Sequence, residues 1–278
     1  MSRMTTDLHE AVIVIAREAG QAIMAVYEGT FDVQQKTDDS PLTAADMAAH
    51  QVITDGLRRL TPQWPVLSEE AADIPWSERS QWPTYWLVDP LDGTREFIKR
   101  NGEFTVNIAL IEQNEPIFGV VHAPVSGETW HARQGRNAYR RVGQVDTQIR
   151  TRSPATGALK VAASRSHRDA RTQAFLDAMG SIEEMSLGSS LKFCRIAEGA
   201  LDVYPRFGPT SEWDTAAAQC VLEAAGGALL APDGRAFRYN RRETLLNGDF
   251  VALGDMTLPW RTWLAQALGD EHGHARIA

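Results

Sequence analysis

Cysteine is almost missing from this chain, with only Cys194 and Cys220 in 278 residues. Both fall inside helix-like segments with no metal-ligand spacing. That excludes a thiolate metal centre or a disulfide scaffold and predicts buried, reduced thiols. Long apolar runs are missing too: residues 11–16 are apolar, but Arg17-Glu18 ends them, so no membrane span is expected. The N-terminus lacks the charged-then-apolar order of a signal peptide, which predicts a cytoplasmic protein. Positive charge is in deficit, with 28 Lys and Arg against 36 Asp and Glu for a net charge of −8. This argues against a nucleic-acid polymer or an anionic membrane as partner, so an anionic substrate would need metal ions or a local basic patch. No internal repeat or low-complexity tract occurs.

The composition is that of a soluble globular chain of one or two domains, 43% hydrophobic and 23% charged. Helical spacing predicts a helix over 7–27, with Asp7 and Glu10 as a capping box, and a second over 43–60. Strands are expected at 65–68, 104–111, 117–123 and 128–132. The polar stretch 143–157 is the expected boundary between halves at 1–150 and 151–278. Beyond it, strands at 159–163, 184–187, 201–204, 228–230 and 250–253 alternate with helices at 170–179, 190–198, 212–225 and 260–268. The first half therefore reads as α+β with an antiparallel sheet, and the second as alternating α/β.

The chemistry centres on Trp86-Leu-Val-Asp89-Pro-Leu-Asp92-Gly93-Thr94. An apolar strand runs into a turn in which Pro90 fixes φ, Gly93 permits a sharp bend, and two carboxylates stand three residues apart. Aspartates in such places commonly cap helices and shape turns. Two further acidic elements change the balance: Glu69-Glu70 ends a predicted strand, and Glu212-Trp213-Asp214-Thr215 opens a predicted helix. Acidic groups gathered at strand and helix ends suit magnesium-assisted phosphoryl chemistry, because Mg²⁺ takes oxygen ligands.

Leu67-Ser-Glu69-Glu70, the Asp89–Thr94 motif and Glu212-Trp213-Asp214-Thr215-Ala-Ala together resemble the inositol monophosphatase superfamily. The continuation from Arg95 to Ala109 is similar to its 3′(2′),5′-bisphosphate nucleotidase branch, of CysQ type. The resemblance implies a layered α-β-α-β-α sandwich and hydrolysis of 3′-phosphoadenosine 5′-phosphate to AMP and phosphate. It also implies activity on 3′-phosphoadenosine 5′-phosphosulfate, inhibition by lithium, and for some relatives an association with the inner face of the inner membrane. Two Mg²⁺ ions are implied, with a third left open. One would be held by Glu69, Asp89 and the Leu91 carbonyl, the other by Asp89, Asp92 and Asp214.

Asp46 and Thr94 would orient the attacking water, with Glu69 at the same centre. Gly93 and Thr94 would cradle the phosphate. Substrate contacts are implied for Ser164, His167, Gly188, Ser190 and Asp214, with Lys192 and Arg206 on the 5′-phosphate. Two alternatives stand beside this reading: an inositol- or sugar-phosphate phosphatase, and an inactive metal-dependent nucleotide sensor. The partner is a small bisphosphorylated nucleotide, and the sequence leaves monomer and homodimer open.

Overall fold

The computed structural model describes residues 5–29, 41–163 and 169–268. The chain opens with two helices, α1 (Thr6–Tyr27) and α2 (Pro41–Leu60). The cap of α1 is Thr5, whose hydroxyl accepts the Leu8 N–H at 3.2 Å. The expected Asp7–Glu10 box does not form: Asp7 lies within the first turn, and Glu10 is drawn off by the Arg141 guanidinium at 2.7 and 3.0 Å.

A first sheet follows. Strand β1 (Val66–Ser68) leads into a 3₁₀ turn at Glu69–Ala71 and a one-turn helix α3 (Trp76–Arg79). Then come β2 (Thr84–Asp92), a short helix α4 (Thr94–Ile98), β3 (Thr105–Glu112), β4 (Glu115–Ala123) and β5 (Glu128–Arg133). Two more strands, β6 (Ala138–Val142) and β7 (Val145–Ile149), complete seven in sequence order. Only the β1–β2 pair is parallel. The polar stretch after Gly143 thus carries an edge strand, β7, whose first four residues are all exposed.

The rest of the chain supplies β8 (Leu159–Ala163), α5 (Ala170–Met179), β9 (Ile182–Ser186), α6 (Leu191–Ala197) and β10 (Val203–Arg206). It closes with α7 (Glu212–Ala224), β11 (Ala228–Leu230), β12 (Phe250–Leu253) and α8 (Trp260–Leu268). Its strands form a second, mixed sheet in the order β11-β12-β10-β8-β9. Here β8 runs parallel to β9 and β10, whereas β12 is antiparallel to β10 and β11.

Side-chain alternation fixes the layers. Trp86, Val88, Val106 and Ile108 pack against α1 and α2 on one face of the first sheet. Tyr85, Leu87, Ala109 and Val121 point the other way, into a core shared with α6, α7 and one face of the second sheet. Val161, Val203 and Val251 turn outward to meet α5 and α8. The result is the five-layer α-β-α-β-α sandwich. Helix α7 comes very close to β4, because a Cβ at Gly119 would stand 2.2 Å from the Ala217 carbonyl oxygen. Ala216, Ala217 and Ala218 keep that helix face thin enough to lie there.

Candidate active site

Asp89 and Asp92 are an odd number of residues apart, so a regular strand would send them to opposite faces. The pairing with β3 shows how they come together. Asp89 lies opposite Asn107 and Asp92 opposite Thr105, three steps on β2 against two on β3. The extra residue is a β-bulge, where Pro90, which has no N–H to donate, is tolerated. Leu91 accordingly joins Val88 on the α1–α2 side. Asp92 returns to the Asp89 side, towards α7.

Helix α7 delivers the third carboxylate. Ser211 and Asp214 form its capping box, with the Ser211 N–H donating to Asp214 Oδ2 at 2.8 Å. One carboxylate oxygen from each of Asp89, Asp92 and Asp214 lies within 4.8 Å of the others. Glu69, in the 3₁₀ turn after β1, stands close enough to Asp89 for the two carboxyls to interact. Glu69 stands at the rim with surface open to solvent, yet neighbouring atoms and acids crowd its carboxyl. Helix α2 packs on α4 and carries Asp46, whose buried Oδ1 has no hydrogen-bond partner among the described residues.

The electrostatics of this cluster are adverse as it stands. Burial, with repulsion from Asp92, Glu69 and Asp214, pushes Asp89 well above the carboxylate range. Burial raises Asp214 to about 7, with Asp92 adding to the effect. Glu69 is raised to about 7 by its enclosure, and Asp46 to about 8 by burial and by Glu70 and Glu69. Hard, all-oxygen donors crowded beyond what their neighbours neutralise fit a divalent cation such as Mg²⁺.

The cluster is braced by Asn107 and Thr105, which the sequence did not single out, and by Ser190. Asn107 donates its amide to Asp92 Oδ2 at 3.3 Å and to Ser190 Oγ at 2.9 Å. Thr105 donates to Asn107 Oδ1 at 3.1 Å, fixing the amide's direction. Ser190 gives Asp92 Oδ2 both its N–H and its hydroxyl, and the same hydroxyl lies 2.8 Å from the Asp214 carbonyl. Ser190, read from the sequence as a nucleotide contact, sits buried behind the carboxylates in this network. Asn and Thr in a buried strand were the available signal, since a buried amide requires partners.

A cavity of about 260 Å³ opens over the carboxylates, lined by Asp92, Gly93, Thr94 and Asp214 together with Lys192 and Arg206. Gly93 adopts φ 101°, the left-handed turn into α4. Lys192 is buried, donates to the carbonyls of Ser189 at 2.7 Å and Leu187 at 3.3 Å, and lies over the Tyr204 ring. Burial lowers its pKa to about 8 against the pull of Asp92, with Arg206 adding to the lowering. Arg206, only 7% exposed, donates to the Pro209 carbonyl and keeps a buried Nε without a partner among the described residues.

Gly188 donates to Glu103 Oε2 at 2.9 Å. A side chain there would strike Glu96 and the Glu103 backbone, at 2.4 and 2.6 Å. Tyr204, Arg95 and Thr210 also line the cleft and escaped the sequence reading. Ser164 and His167 lie outside the described residues.

A cluster of acids gathered by a strand bulge, a 3₁₀ turn and a helix start, inside this five-layer sandwich, defines a class of metal-dependent phosphatase. The inositol monophosphatase family matches residues 4–269, and the chain belongs to that family. It is 53% identical over 244 residues to the 3′(2′),5′-bisphosphate nucleotidase CysQ of Escherichia coli K12, covering 87% of this chain and 97% of that protein. The CysQ of Aggregatibacter actinomycetemcomitans is 38% identical, over 94% of this chain and 97% of its own. Among solved structures, CysQ from Bacteroides thetaiotaomicron superposes with a TM-score of 0.83 at 39% identity, covering 91% of this chain and 99% of that one. No helix among the described residues is long and apolar enough to cross a membrane.

Proposed function

We propose that the chain is a Mg²⁺-dependent 3′(2′),5′-bisphosphate nucleotidase that hydrolyses 3′-phosphoadenosine 5′-phosphate to AMP and phosphate. The observation that carries this reading is one cleft lined both by carboxylates suited to cations at a reacting phosphate and by the buried cations Lys192 and Arg206, suited to a second phosphate. An inositol monophosphate has no second phosphate for that pair. The 53% identity to a protein of this named activity supports the same reading.

Two Mg²⁺ ions would be held by Glu69, Asp89, the Leu91 carbonyl, Asp92 and Asp214, supplying neutralisation of the phosphoryl group and acidification of a water. The chain's own residues then have distinct tasks. Gly93 and Thr94 present backbone N–H groups to the phosphate oxygens. Asp46, whose Oδ1 has no partner among the described residues and which lies on the helix packed against α4, works with Thr94 to orient the nucleophilic water. Gly188 keeps the Leu187–Ser190 loop against the Glu96–Glu103 segment, and Ser190 holds Asp92. Lys192 and Arg206 fix the 5′-phosphate, with Ser164 and His167 as further nucleotide contacts.

In this division of labour, residues 1–150 form the metal and phosphate half and 151–278 the nucleotide half. Two buried free cysteines support a reducing, cytoplasmic compartment. 3′-Phosphoadenosine 5′-phosphosulfate is the expected second substrate.

A substrate panel with Mg²⁺ and a chelator control tests the proposal. Phosphate release from 3′-phosphoadenosine 5′-phosphate, and far less from inositol 1-phosphate, is expected. Release from inositol 1-phosphate alone overturns the substrate, and release from no phosphomonoester overturns the enzyme.

A further inference from the structure

Away from the carboxylates, a buried polar network joins α3, which follows the Glu69 turn in the chain, to the start of α7, which bears Asp214. Arg79 of α3 is 2% exposed. It donates to Asn240 Oδ1 at 2.6 Å, to the Arg242 carbonyl at 3.2 Å and to the Glu243 carbonyl. Asn240 returns its side-chain N–H to the Arg79 carbonyl at 2.6 Å. Its backbone N–H goes to Glu212 Oε2 at 2.8 Å. Glu212 is the first residue of α7 and wholly buried; beyond Asn240, the nearest ion-pair partner of its carboxylate is Arg242 at 3.9 Å. Asn240 takes φ 52°, a conformation that asparagine tolerates better than most residues.

The segment around Asn240 is fastened along its length to the first turn of α7. Glu212 N–H donates to the Leu245 carbonyl at 2.8 Å, and Asn247 N–H to the Thr210 carbonyl at 2.7 Å. The Asn247 amide reaches the Ser211 carbonyl at 2.7 Å and Thr215 Oγ1 at 3.0 Å. One side of this strap therefore grips α3, which follows the Glu69 turn in the chain. The other side grips the helix start that bears Asp214. Through the Asp214 carbonyl and Ser190, that same turn also steadies Asp92.

We infer that Arg79, Asn240 and Glu212 are positioning residues: the latch they form sets the spacing between the Glu69 arm and the Asp214 arm of the metal centre. The inference rests on the metal-site reading above. The physical reason is tolerance. Ligands shared by a metal pair must be held to within about 0.5 Å. A 3₁₀ turn and a helix start from distant parts of the sequence have no such registry unless something ties them. A buried guanidinium that donates to one carboxamide and two backbone carbonyls is stiff enough to provide it.

The test measures Mn²⁺ binding to the full chain by electron paramagnetic resonance without substrate, alongside the Mg²⁺ concentration for half-maximal phosphate release and thermal melting. Asn240→Gly is the sharpest variant, because glycine keeps the positive φ and the N–H to Glu212 while cutting both side-chain bonds to Arg79. It is expected to weaken Mn²⁺ binding about tenfold, the scale of losing an outer partner of a metal ligand. Asn240→Asp, which keeps an acceptor for Arg79, should recover most of that loss. Glu212→Leu, which removes the acceptor for the Asn240 N–H, serves as a second cut if the glycine variant does not fold.

A lower melting temperature with unchanged Mn²⁺ affinity in folded variants overturns the latch and leaves the metal site standing. Absence of Mn²⁺ binding in the wild-type chain overturns both.

Discussion

Ser190 grips one oxygen of Asp92 twice, through its N–H at 2.7 Å and its hydroxyl at 2.8 Å. The hydroxyl has a single hydrogen and also lies 2.8 Å from the Asp214 carbonyl. Shared between the two, that hydrogen links carboxylate-bearing elements from opposite halves of the sequence. Ser190→Ala keeps the N–H contact but strips Asn107 and the Asp214 carbonyl of a buried partner. Stability is expected to fall by about 1–3 kcal/mol, and the Mg²⁺ required for half-maximal activity to rise about tenfold. Urea denaturation and a Mg²⁺ titration check the two effects separately; an unchanged Mg²⁺ requirement would mean that Asp92 needs no such brace.

Asp89 stands at the centre of the repulsion. Asp89→Asn should reduce turnover by more than the about 100-fold that an outer partner costs. In chelator, the same variant should melt higher than the parent, because it removes a carboxyl whose ionisation burial and the facing Asp92, Glu69 and Asp214 oppose, so that folding no longer has to force a proton onto it. A lower melting point under those conditions would contradict the electrostatic picture of the cluster.

Lys192 is predicted to act on binding more than on chemistry. Lys192→Ala should raise KM for 3′-phosphoadenosine 5′-phosphate about tenfold, near the value of one charge-assisted hydrogen bond. KM for a substrate lacking the 5′-phosphate should change much less. Equal effects on both substrates would remove Lys192 from the 5′-phosphate site.

Acid should unfold the chain partly through His122, buried behind α1. Its pKa falls from 6.5 to about 4, chiefly by burial, although the Glu128 carbonyl accepts from it and opposes the shift. Below pH 6.5 the unfolded chain takes up a proton that the folded chain refuses. The stabilisation is thus complete above pH 6.5 and is lost as pH falls towards 4, at about 1.4 kcal/mol per pH unit. The difference between parent and His122→Gln in how far their urea midpoints move between pH 7.5 and 5 measures it, because the raised carboxyls of the cleft titrate in the opposite sense in both chains.

Gly119 offers a purely steric test. Gly119→Ala would drive a methyl group into the Ala217 carbonyl, and overpacking of this kind costs about 1–3 kcal/mol. Because α7 must retreat to make room, activity should fall along with the melting temperature. Melting curves and kcat at saturating Mg²⁺ provide the check.

The amphipathic helices and alternating strands were legible because burial enforces periodicity, as in α5, read at 170–179 and found at Ala170–Met179. Helix α3 was not, because four residues are too few to show a period. Strands β6 and β7 hid for a different reason: Arg140 and Arg141 alternate with little apolar signal, and β7 is an exposed edge. The acids were legible as motifs. Their braces Asn107 and Arg79 were not, nor was the bracing role of Ser190, since each acts through a partner far away in sequence: Asn107 meets Ser190 83 residues later, and Arg79 meets Asn240 161 residues later.

The bulge between Asp89 and Asp92 makes this centre depend on the parity of a count. With two residues between the aspartates, an extra strand position restores a shared face. Deleting Leu91 would leave them two apart, on one face even in a regular ladder, but would remove the carbonyl and the apolar anchor that the insertion introduces. Inserting a residue while the bulge persists would turn Asp92 towards α1 and α2, among Trp86 and Val88. A frame of side chains, in addition to the identities of the acids, is therefore what any rearrangement of this loop must preserve.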